Sequence, residues 1–164
     1  MRAANVARMT QLRLTIALLV LSGGNAAAQT GAVAKPAADA TILVNRALAL
    51  LGETQRAVVI YDPHHYDTTR RAKLERFEAF VFAERREIYL NRRGRVLEEA
   101  LRGSPEGVYL VAALIAHEVA HLEGADERSA LQAEGRCVFR FMKEGRISVD
   151  VALSHLHGTW RLRR

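Results

Sequence analysis

The chain has 164 residues, 49% hydrophobic and 26% charged, with a single cysteine and a formal net charge of +6. That is room for one domain with its own core, so wholesale disorder, a disulfide framework and a thiolate cluster are all excluded. Arg2, Arg8 and Arg13 lie in an acid-free stretch of 28 residues, so the remainder has 21 basic against 18 acidic groups, a surplus too small to argue for nucleic acid.

The first 28 residues have the layout of a secretory signal. A basic opening leads into the apolar run Leu14–Leu21, and Ala26-Ala27-Ala28 supplies small residues for cleavage. The apolar run is shorter than the roughly 20 residues a bilayer span needs, so the mature chain is expected free of the membrane, in a periplasm or secreted. Residues 29–37, with Gly31 and Pro36, are expected to form a flexible lead-in to a single domain at 38–164. In an oxidising compartment the lone Cys137, flanked by Val138 and Phe139, is expected to be a buried small hydrophobe.

The domain is expected to be α+β. Asp39 is placed to cap a helix carrying Ile42, Leu43, Leu48 and Leu51 and ending at Gly52. Ala57–Tyr61 has the composition of a buried strand, stopped by Asp62-Pro63. Residues 62–76 are polar and turn-like, an ordinary setting for His64-His65. Phe80–Phe82 and Glu87–Asn91 form a hairpin around Glu84-Arg85-Arg86, and a short amphipathic helix, Arg95–Leu101, closes at Gly103. The arginine pairs in this region alternate with Glu75, Glu78, Glu84 and Glu87, a pattern of solvated faces.

Ser104-Pro105-Glu106 has the hydroxyl, proline and acid of a helix start, and that helix runs to about Glu123, with Gly124 ending it. Asp126 is placed to cap the next helix, which stops near Gly145. A last helix begins near Ser148 and carries Val149, Val151, Leu153 and Leu156, with Trp160 packing it down. A sheet of about three strands, containing an antiparallel pair, is expected to pack on a helix hairpin and this terminal helix.

The chemistry concentrates in His117-Glu118-Val119-Ala120-His121. Residues i and i+4 share a helical face, so both imidazoles can address one ion, and nitrogen ligands suit zinc. Glu118 beside them is placed to take a proton from a water that the ion polarises. A catalytic site needs a third protein ligand and an open position. Glu123, Asp126, Glu127 and Glu134 follow closely. Glu127 and Glu134 lie two turns apart on one face of the next helix, and both are within reach across a tight hairpin at Gly124-Ala125.

With Glu127-Arg128-Ser129-Ala130 after it, the motif resembles the gluzincin group of zinc metallopeptidases. The resemblance covers about residues 77–142. It implies a small zincin-like domain with one zinc per chain, held by His117, His121 and Glu127, with Glu118 as the base that drives hydrolysis of a peptide or protein substrate. It also implies an edge strand beside the cleft, matching Glu87–Asn91. The chain departs from the group in a short connection from His121 to Glu127, and in Leu131 where an aspartate is usual, so Glu134 stands as the alternative third ligand.

For an oxyanion donor the candidates are Tyr89, Tyr109, His155 and His157. The two histidines, at i and i+2, cannot share one face, and a surface or structural role is expected for each. The rival reading is a non-catalytic binding module of the cell envelope whose metal ties two helices together, with both Glu127 and Glu134 bound.

Overall fold

A computed structural model describes residues 34–162, with side chains described over 39–158. The leader, the start of the lead-in and the side chain of Trp160 lie outside the described residues. Six α-helices and three β-strands follow in order, with one 3-10 turn at Pro63–His65, among the described residues: α1 (Ala34–Leu51), β1 (Ala57–Tyr61), α2 (Thr68–Leu74), β2 (Ala79–Phe82), β3 (Glu87–Asn91), α3 (Arg95–Leu101), α4 (Gly107–Leu122), α5 (Glu127–Lys143) and α6 (Val149–Leu162). The architecture is α+β, as the periodicities require. Among the described residues no helix is long and apolar enough to cross a membrane.

The sheet has the order β1-β3-β2, with β1 parallel to β3 and β2 antiparallel to it. The hairpin forms as expected, Phe80 opposite Tyr89 and Phe82 opposite Glu87. The edge-strand expectation for Glu87–Asn91 is overturned: β3 is the central strand, and β2 is the edge that packs most on α4. β1 is the other edge and not a fully buried strand, since Val59 is 36% exposed while Val58 and Ile60 turn toward α1. A run of β-branched residues does not reveal whether both faces are covered.

Three further expectations change at helix starts. α1 begins at Ala34, ahead of Asp39, so residues 34–37 are helical. Pro36 falls in the first turn, where an N–H has no intrahelical carbonyl to find. The polar stretch 62–76 contains α2, capped by the Asp67 carboxylate on the Arg70 N–H. None of its residues is buried, so it left no apolar period to detect. The helix expected from Ser104-Pro105-Glu106 starts at Gly107, after a turn in which the Gly107 N–H bonds the Ser104 carbonyl, and the Glu106 carboxylate accepts from the Ser148 N–H at the head of α6. Gly107 lies so close to α3 that a Cβ there would stand 2.5 Å from the Ala100 Cα.

The core forms where α1, α3, α4 and α5 meet the sheet, around Ile88, Leu90, Leu97, Val111, Ile115 and Phe141. α4 is apolar almost all round, which is why it is the buried central helix. Cys137 is 7% exposed in this core, and burial pushes its thiol up to about 11. At pH 8 that leaves about one thiolate per thousand thiols, against about one in ten at an ordinary pKa. Iodoacetamide is therefore expected to label the native chain about 100-fold more slowly than the urea-unfolded chain, the native rate climbing as pH approaches 11. Equal rates at pH 8 would contradict this placement.

Candidate metal centre

α4 ends in a tight turn at Gly124, where φ is +90°, and the Ala125 N–H bonds back to the Ala120 carbonyl. Glycine is needed there because a side chain would clash in the left-handed region. Two residues on, Asp126 caps α5 through the Ser129 N–H at 2.8 Å, and its carboxyl is held below the usual range by hydrogen bonding to Ser129. Glu127 thus opens α5 directly beside the end of α4. The helices run antiparallel: His121 meets Glu127, and His117, one turn back, meets Glu134 two turns on.

Three residues converge, with one ligand atom from each lying within 4.8 Å of the others. His117 Nε2 and His121 Nε2 are 3.1 Å apart, His121 Nε2 and Glu127 Oε2 are 3.2 Å apart, and His117 Nε2 and Glu127 Oε1 are 3.6 Å apart. Ligands at 2.0–2.1 Å on a tetrahedral ion would be separated by about 3.3–3.4 Å. The short connection that departs from the gluzincin pattern still delivers Glu127 to the imidazoles.

The opposite ring nitrogens are also held. His121 Nδ1 lies 3.1 Å from the Ala125 carbonyl, and His117 Nδ1 lies 3.1 Å from Glu134 Oε2. With each ring neutral and its proton on Nδ1, both Nε2 atoms would present lone pairs toward one another and toward the Glu127 carboxylate. In that state a cation between them, metal ion or proton, would offset the repulsion of the lone pairs. A donor set of two neutral imidazoles and a carboxylate suits zinc, and the three groups fit it.

Glu134, the alternative third ligand, is fully buried and lies at the other nitrogen of His117, outside the three-atom group. Its second oxygen accepts from His155 Nε2 at 2.8 Å. Burial works to raise the Glu134 pKa, but hydrogen bonds and charge from His117 and His155 outweigh it and bring the value to about 2, so the carboxyl is ionised. Glu118 is 2% exposed. It stands about 100° round α4 from His117, toward the end of β1, where its charge is felt at the Tyr61 hydroxyl. Tyr61 donates that hydroxyl to the carbonyls of Leu74 and Phe77, and burial pushes its pKa up.

The oxyanion candidates are employed elsewhere. Tyr89 stacks on Phe80 and donates to Glu87, Tyr109 packs on Phe141 two turns before His117, and His157 is exposed. For His155 the surface reading fails: it is 1% exposed and bonded to Glu134. The apolar face of α6 was mis-phased in the sequence, since Val149 and Leu153 are 58% and 51% exposed while Ala152 and His155 are buried. The signal was the i, i+3 spacing of Ala152 and His155. His64 stays near the surface, 3.5 Å from Glu75. Compared with family models, curated proteins and solved structures, the chain matches none.

Proposed function

We propose that this protein is an exported zinc peptidase of the gluzincin kind, with His117, His121 and Glu127 holding one zinc ion and Glu118 moving the proton. The observation that carries this is the convergence of ligand atoms from those three residues, with an oxygen 3.1 Å from Nδ1 of each histidine. When bound, zinc supplies Lewis acidity that activates a water and polarises a carbonyl at neutral pH.

The chain's own groups divide the remaining work. Glu118, ionised, takes one proton from the attacking water as oxygen bonds to the peptide carbon. It then hands that proton to the amine nitrogen as the C–N bond breaks. Its burial keeps bulk water from competing for the proton. An extended substrate has unpaired strand backbone available at β2, which pairs on one side only and packs on α4.

The non-catalytic rival needs a fourth protein ligand to close the site. Among the described residues the group has three members, and Glu134 is engaged on the far side of His117. The test is cleavage of a mixed peptide library by residues 29–164 loaded with one equivalent of zinc. New amino termini are expected, lost on chelation and restored by added zinc. Cleavage that continues unchanged in chelator would defeat the proposal.

A further inference from the structure

The terminal helix α6 reaches the candidate centre through a buried line of three side chains. His155 Nε2 donates to Glu134 Oε1 at 2.8 Å, and Glu134 Oε2 lies 3.1 Å from His117 Nδ1. The three residues are 1%, 0% and 0% exposed. Among the described side chains of α6, Ala152 is in the core and Val151 and Leu156 pack against it, while Val149 and Leu153 face solvent. Sequence distance adds to the point: His155 is 38 positions from His117 and belongs to an element outside the helix hairpin.

We propose that His155 is a positioning residue of the metal centre, acting through Glu134 on His117, so that a seated α6 and a bound metal ion stabilise each other. The inference rests on the metal-binding part of the preceding reading and not on catalysis. His117 ligates through Nε2 only if its ring is held at the correct rotation, with the proton on Nδ1. Glu134, with an oxygen 3.1 Å from Nδ1, stands where a carboxylate favours both. A carboxylate has two oxygens and several rotamers, and His155 ties down the oxygen that His117 does not use. Removing that tie lets Glu134 turn, and His117 loses its anchor. Linkage makes the effect reciprocal: whatever metal binding gains from a seated α6, α6 gains from the metal.

The test measures zinc affinity of the full mature chain by competition with a chromophoric chelator, together with amide hydrogen exchange of residues 149–158 with and without zinc. His155→Ala is expected to weaken zinc binding about tenfold. His155→Gln, whose amide can still donate to Glu134, is expected to stay within about threefold of wild type. In a Glu134→Ala background, His155→Ala is expected to cost no further affinity. Zinc is expected to slow exchange across α6 in the unmutated protein.

Zinc affinity of a folded His155→Ala protein within about twofold of wild type would overturn the proposal. So would a tenfold loss that persists in the Glu134→Ala background. Where His155→Ala does not fold, the exchange measurement decides, and α6 protection indifferent to zinc overturns the proposal. A wild-type chain that takes up no zinc overturns both this and the underlying reading, whereas a loaded wild type with no His155 effect overturns this alone.

Discussion

Glu118→Gln is expected to retain one zinc ion per chain and to lose peptide hydrolysis by about 10²–10⁴-fold, the usual contribution of a positioned general base. The substitution keeps shape and removes only the ability to hold a proton. Glu118 is buried next to His117 in sequence, while the imidazoles face Glu127 with Nε2 and Glu134 or Ala125 with Nδ1. Zinc by elemental analysis and kcat on a quenched fluorescent peptide, measured on the same preparation, separate the two effects. A zinc-loaded variant with kcat within about threefold of wild type would remove Glu118 from the chemistry.

The two glutamates of α5 are expected to fail in opposite ways. Glu127 is 42% exposed at its side chain, so Glu127→Ala is expected to leave the metal-free fold within about 0.5 kcal/mol of wild type. It removes one ligand of three. Structural zinc sites with four ligands bind with about 10–16 kcal/mol, so one ligand carries about 3 kcal/mol and its loss weakens zinc more than about 100-fold. Glu134→Ala is the reverse case. It leaves the buried His117 and His155 without their shared acceptor and is expected to destabilise the metal-free chain by about 3 kcal/mol, while saturating zinc still loads one ion. Urea unfolding without metal and zinc content at saturation together make a crossed test. Zinc retained by Glu127→Ala and lost by Glu134→Ala would exchange the roles of the two residues.

Much of this was legible because it is local. Gly52, Gly103, Gly124 and Gly145 all have positive φ just past helix ends, where the sequence placed the stops. Asp126 caps α5, and the spacing of His117 and His121 puts their rings 4.8 Å apart on one face. Cys137 is buried as expected, beside buried Val138, although Phe139 turns to solvent. Each of these depends on residues within about one or two helical turns of one another, and backbone geometry alone brings them together.

The errors share a different cause. Ala57–Tyr61 and Glu87–Asn91 exchange status, one an edge and the other central, because the parallel pairing of β1 with β3 joins strands about 30 residues apart. Glu127 and Glu134 look equivalent on a helical wheel. Only the antiparallel packing of α5 on α4 sets one at Nε2 of His117 and the other at Nδ1.

His155 offered no ligand spacing, and the choice between a surface and a structural role was decided only by the seating of α6 on α5, which buries it against Glu134. The sequence by itself determined the chemistry available, a His-Glu-His helix with carboxylates close behind. Only the tertiary structure decided which carboxylate faces which nitrogen, because helix register and strand order are set by packing between distant segments and leave no periodic trace along the chain.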